Sequence, residues 1–137
     1  AVLLIDGHSK KLEHAERLGI PTRLLSDAAA RGDQDVVVDC TGQPSGIASA
    51  LQFVRPRGTV VLKTTADAPA RIAPVVMDEI TILGSGSGPY AQALHLLATR
   101  QISVSGLVSQ RSRAEQAAEL LNQPPVDALK IALDFTR

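Results

Sequence analysis

The 137-residue chain predicts an α/β fold built on a doubly wound parallel sheet. Two observations carry that expectation. Val36-Val37-Val38 and Thr59-Val60-Val61-Leu62 are short β-branched runs bounded by charge, proline or glycine, as strands are. Between them Ile47, Ala50, Leu51 and Val54 recur at helical spacing and form one apolar stripe. Two apolar strands joined by a helix argue for parallel pairing, with the sheet covered on both faces. Ligands in such sheets bind beyond the carboxyl ends of the strands. Here those ends are Asp39-Cys40-Thr41-Gly42 and Lys63-Thr64-Thr65.

In order, Ala1–Ile5 reads as a strand and Asp6-Gly7-His8-Ser9 as a tight turn, with Ser9 as helix N-cap. Lys10–Leu18 is a helix with Leu12, Ala15 and Leu18 on one face. Gly19 ends it, and Pro21 prevents its continuation. Thr22–Leu25 is a short strand, and 26–34 is a loop or a weak helical turn. The stretch 35–65 supplies strand, helix and strand, with Arg55-Pro56-Arg57-Gly58 closing the helix. A loop over 67–71, a short helix over 72–77 and a strand over 80–83 follow. Tyr90–Thr99 is a helix, and Ile102–Val108 is extended. Arg113–Leu121 is a helix capped by Ser112, and Lys130–Phe135 is the last strand.

Composition narrows the function. Fourteen Lys and Arg balance fourteen Asp and Glu, which argues against a binder of nucleic acid or anionic membranes, since both need a positive field. The core must be aliphatic, because only 2% of residues are aromatic. Cys40 is the lone cysteine. It reads as a buried structural thiol and excludes a disulfide framework, which suits the cytoplasm. No apolar run reaches membrane-spanning length. The three histidines lack ligand spacing, so no metal site is assigned.

Asp6 is the leading candidate residue. A carboxylate at a strand end, followed by glycine and a helix, can accept hydrogen bonds from both hydroxyls of an adenosine ribose. Its charge disfavours a 2′-phosphate, hence NAD over NADP. Lys11 follows one turn later. The alternative is that Asp6 only starts the helix and faces its positive end. Gly84–Pro89 imitates a G-x-G-x-x-G fingerprint. However, Pro89 takes the third glycine position and no Asp lies between Asp78 and Asp127, so the fingerprint is rejected, and the stretch reads equally as a loop that lets a ligand approach the backbone and as a flexible turn.

The order of these motifs resembles the zinc-type medium-chain alcohol dehydrogenase/reductase family. Leu4-Ile5-Asp6 with Lys11-Leu12, Ala15 and Leu18-Gly19 is similar to the family's second cofactor strand and the helix after it. The run Asp35 to Gly42 is similar to its fourth strand, Arg55 to Leu62 to the approach and body of its fifth, and Glu79 to Ser85 to its sixth. Leu129-Lys130-Ile131 is similar to the closing strand. The resemblance implies a Rossmann-like NAD-binding domain. In it Asp6 holds the ribose, flanked by Lys11. Cys40, Thr41 and Gly42 border the adenine, while Lys63, Thr64, Thr65, Leu83, Gly84 and Ser85 lie nearer the nicotinamide. Gly86-Ser87 departs from the bulkier or more polar pair usual there.

The resemblance further implies a partial dinucleotide-binding domain over 1–137, lacking the family's first strand, its glycine-rich turn and the catalytic domain. That first strand belongs in the centre of the 3-2-1-4-5-6 order. The strand at Ala1–Ile5 and the strand at Val36–Val38 are therefore expected to face each other across a gap. The expectation is a carboxyl-terminal piece of a longer, homo-oligomeric enzyme. That enzyme would transfer hydride between NAD and an alcohol or carbonyl, with any zinc held outside this segment and the piece alone inactive. The rivals are a methyltransferase-like adenosine-ligand domain and a non-catalytic α/β module that oligomerises.

Overall fold

The computed structural model describes residues 1–67 and 71–136; the middle of the expected 67–71 loop lies outside the described residues. The chain divides into two compact units, Ala1–Ala28 with Leu97–Arg137, and Ala29–Leu96.

The first unit opens with β1 (Leu4–Asp6), α1 (Ser9–Arg17) and β2 (Thr22–Leu24), followed by a single 3-10 turn over Leu25–Asp27. β1 and β2 pair in parallel, Leu4 opposite Thr22 and Asp6 opposite Leu24. Leu12 and Ala15 are the buried face of α1. Leu18, expected on that face, lies past the helix and is exposed. Ser9 is not the cap. His8 occupies the N-cap position in extended backbone without a side-chain cap bond, so Ser9 is already helical.

In the carboxyl-terminal part of this unit, β6 (Val108–Arg113) and β7 (Lys130–Asp134) pair in parallel around α5 (Ala117–Asn122). The strand expected over 102–108 thus begins only at its last residue. Ser112 sits inside β6 rather than capping a helix, because its register with Leu133 extends the ladder through Arg113. The chain then turns helical at Ala114, where the Gln116 side chain accepts the Arg113 N–H.

The second unit is a three-stranded parallel sheet in the order β3-β4-β5. It contains β3 (Gln34–Asp39), α2 (Gly46–Phe53), β4 (Val54–Leu62), α3 (Ala73–Met77) and β5 (Thr81–Gly84), followed by α4 (Tyr90–Ala98), which runs past its boundary. Ala50, Val54, Val60 and Ile80 are its core, with Val37, Leu51, Leu62 and Val75 packed against them. Val54 belongs to β4 and not to the helical stripe, since it pairs with Gln34 at the start of the ladder. The helix accordingly ends before Arg55.

β3 has a paired neighbour on one side only, β4. Val36 and Val38 are 57% and 51% exposed, so this strand is not covered on both faces as its composition predicts. In the first unit β1 likewise pairs with β2 alone. Among the described residues no strand lies against the other edge of either.

Candidate functional site: the carboxyl ends of the parallel strands

Register brings three strand ends of the second unit together. Asp39 is opposite Leu62, and Leu62 is opposite Gly84. The segments that follow, Cys40-Thr41-Gly42, Lys63-Thr64-Thr65 and Ser85, therefore emerge side by side. Hydrogen bonds tie them. Lys63 N–H donates to the Asp39 carbonyl at 2.9 Å, and Ser85 N–H to the Leu62 carbonyl at 2.9 Å. The Lys63 ammonium donates to the Ser85 carbonyl at 3.1 Å, and Thr64 Oγ1 accepts the Ala66 N–H at 3.2 Å.

The sequence reading placed a buried thiol here, and the structure reverses it. Cys40 is exposed, and Asp39 is buried, with 3% of its surface accessible. Strand alternation explains the swap: Asp39 is the last residue of β3 and points inward, so its neighbour points out. Asp39 Oδ1 accepts the Thr41 N–H at 2.9 Å and the Thr41 hydroxyl at 2.8 Å, while Oδ2 is buried without a partner. A buried carboxylate needs such donors. The carboxylate also sits against the start of α2, where a Cβ on Gly46 would overlap both its oxygens and Thr41 Oγ1. Only glycine lets strand end and helix start approach this closely.

Around these ends the backbone is open. A Cβ built at Gly42, Gly84, Gly86 or Gly88 meets no heavy atom within 4 Å, and Gly42 adopts φ +66°, a left-handed conformation that favours glycine. This is room a ligand can use. Leu83 is exposed within β5.

The other two candidates belong to the first unit. Asp6 ends β1 and is half-buried, and Lys11 is half-buried on α1. Asp6 Oδ1 accepts the His8 N–H at 2.8 Å and lies 3.0 Å from His8 Nδ1. Sequence reasoning passed over His8, although its spacing two residues after the acid is the usual geometry for this side-chain turn. It also passed over Asp127, which meets the Lys10 ammonium at 2.6 Å. The Lys10 hydrogen bond and charge hold the Asp127 carboxyl below its ordinary range, and Asp127 in turn raises Lys10. Among the described residues no three His, Cys, Asp or Glu side chains are placed to hold a metal ion. No described helix is long and apolar enough to cross a membrane.

Residues 1–99 match the model of a family described as zinc-binding dehydrogenase. The chain belongs to that family. No curated protein matches it in sequence. Among solved structures similar to this zinc-binding dehydrogenase chain is L-idonate 5-dehydrogenase from Escherichia coli, with 23% identity, a TM-score of 0.81, and coverage of 97% of this chain and 42% of that one. A second, from Sinorhizobium meliloti, is described as a zinc-binding dehydrogenase bound to NADP. It has 23% identity and a TM-score of 0.81, and covers 97% of this chain and 44% of that one. A third, from E. coli, is described as a short chain alcohol dehydrogenase complexed with NADH, with 18% identity, a TM-score of 0.76, and coverage of 98% of this chain and 44% of that one. These likenesses establish a Rossmann-like α/β fold. The chain spans less than half the length of each of these structures.

Proposed function

We propose that this chain is a partial dinucleotide-binding domain, the cofactor-binding segment of an NAD-dependent oxidoreductase that transfers hydride between a nicotinamide and an alcohol or carbonyl. The observation that carries the reading is the family match over residues 1–99, joined to a carboxylate, Asp6, at the end of β1. Support also comes from two similar structures that hold NADP and NADH.

The residues fit the cofactor by their donor sets. Asp6 offers Oδ2 to the ribose diol, since both of its hydrogen bonds fall on Oδ1. Lys11 flanks it. Cys40, Thr41 and Gly42 border the adenine, in a turn that Asp39 fixes through Thr41. Lys63, Thr64, Thr65, Leu83, Gly84 and Ser85 take the nicotinamide side, where the open backbone at Gly84 permits close approach. The bound nicotinamide supplies the hydride chemistry, and this segment supplies binding and orientation. Substrate and oligomeric partner belong to the same proposal: a small alcohol or carbonyl, and a homo-oligomer working in the cytoplasm.

Fluorescence titration of the full-length protein with NADH tests the reading. Saturable binding is expected. No binding at millimolar NADH or NADPH would overturn it.

A further inference from the structure

The ends of β3, β4 and β5 carry a charge without a counter-charge. Among the segments that emerge there, residues 40–42, 63–65 and 85–88, Lys63 is the one charged side chain. Its ammonium is drawn toward the end of β5, where it donates to the Ser85 carbonyl at 3.1 Å and to the Ser85 hydroxyl oxygen at 3.5 Å. Both acceptors are neutral, so they hold the charge in place and do not cancel it. Lys63 makes no ion pair among the described residues. Asp67, the next acid along the chain, is exposed and does not meet it. Asp39 ends β3, but its carboxylate is 3% exposed and lies against Thr41 and the start of α2. An ammonium has three donors, so one remains after Ser85 has taken two.

A nicotinamide cofactor has one group whose charge differs between its two forms. The oxidised ring is a cation and the reduced ring is neutral, while the phosphates are the same in both. The inference rests on the reading that places the nicotinamide at the ends of β4 and β5. There a fixed ammonium repels the oxidised ring and leaves the reduced ring almost untouched. A Cβ at Gly84 or Gly86 meets no heavy atom within 4 Å, so a planar ring has room on the same strand end that holds the ammonium.

We propose that Lys63 is a specificity-determining residue for the oxidation state of the cofactor. Its charge disfavours the oxidised ring, so the site holds NADH more tightly, relative to oxidised NAD, than the same site without the ammonium. Ser85 keeps the charge at the strand ends instead of releasing it to solvent. Because Lys63 is exposed, the effect has the size of a surface charge interaction and not of a buried one.

Calorimetric titration of the full-length protein with oxidised NAD and with NADH decides it, comparing wild type, Lys63→Met and Lys63→Arg. The quantity read is the ratio of the two dissociation constants, oxidised over reduced. Any contact of Lys63 with the phosphates is common to both forms and cancels in the ratio. Lys63→Met should lower the ratio about two- to fivefold, the scale of exposed charge pairs, and Lys63→Arg should keep it near the wild-type value. At about 1 M salt, where the Debye length is about 3 Å, the difference between wild type and Lys63→Met should shrink. A Lys63→Met ratio within about 1.5-fold of the wild type's, on a scale where one exposed charge pair gives up to about fivefold, overturns the proposal. Equal weakening of NAD, NADH and ADP-ribose, which lacks the ring, also overturns it, since Lys63 would then be a phosphate contact. Both results leave the cofactor site standing. No saturable binding of either cofactor to the wild type overturns the cofactor reading, and the proposal with it.

Discussion

Gly46→Ala tests whether the turn after β3 is built around a buried carboxylate. The new Cβ would overlap Thr41 Oγ1 and both Asp39 oxygens. Asp39 is 3% exposed and has no solvent into which to retreat, and its Oδ1 already takes two donors from Thr41. Overpacking of this kind costs about 1–3 kcal/mol. The gain from a stiffer unfolded chain on replacing glycine by alanine, about 0.4–1 kcal/mol, offsets part of it. A net loss of about 1–2 kcal/mol is expected, which for a domain of this size lowers Tm by roughly 3–10 °C. Urea unfolding followed by circular dichroism reads it. In a Thr41→Ala background the penalty should shrink, because one of the overlapped atoms is gone and neighbouring changes couple. Gly86→Ala, where a Cβ meets nothing within 4 Å, should be near neutral. A Gly46→Ala midpoint equal to the wild type's would refute the close approach and the burial of Asp39.

Other expectations follow from the same geometry. Val60 is fully buried in the sheet core, so Val60→Ala should cost about 2 kcal/mol by chemical denaturation; a loss under about 0.5 kcal/mol would mean that β4 is not the central strand. Lys10 depresses Asp127, and a depressed carboxyl stabilises the fold above its unfolded pKa and loses that contribution as pH falls through the folded value. Carbon NMR should show Asp127 titrating below an ordinary aspartate in the wild type and moving back up in Lys10→Met; an unchanged midpoint would contradict the pair. Hydrogen bonds from Thr136 depress Asp134 in the same direction, so Thr136→Val should raise its midpoint.

Much of the fold was legible because parallel strands announce themselves as apolar runs with turns at fixed places. β3, the body of β4, β5 and β7 fall where Val36–Val38, Thr59–Leu62, Ile80–Leu83 and Lys130–Phe135 predict, to within a few residues. The failures have local causes. Val54 fits a helical stripe and a strand equally well in sequence, and its pairing with Gln34 decides for the strand. Ser112 looks like a cap until the partner strand β7, some twenty residues on, extends the ladder through it. Cys40 was given the inward position because thiols prefer burial. Alternation along β3 gives that position to Asp39, where Thr41 satisfies one of its oxygens.

The strand ends around the candidate site were legible for the same reason as the strands. Once three strands run parallel in register, the residues after Asp39, Leu62 and Gly84 must neighbour one another. The charges around Asp6 were less so. His8 is close in sequence, but its engagement with Asp6 depends on turn geometry. Asp127 comes from 117 residues beyond Lys10, a distance no local pattern bridges.

The central claim is that Asp6 holds the cofactor's ribose. Its most direct test is the NADH dissociation constant of Asp6→Ala against wild type in the full-length protein. Loss of a hydrogen bond to a charged acceptor is worth about 1.5–3 kcal/mol, so the account predicts weakening of about tenfold or more, with thermal stability nearly unchanged because Asp6 is only half-buried. An NADH affinity within twofold of wild type would contradict it.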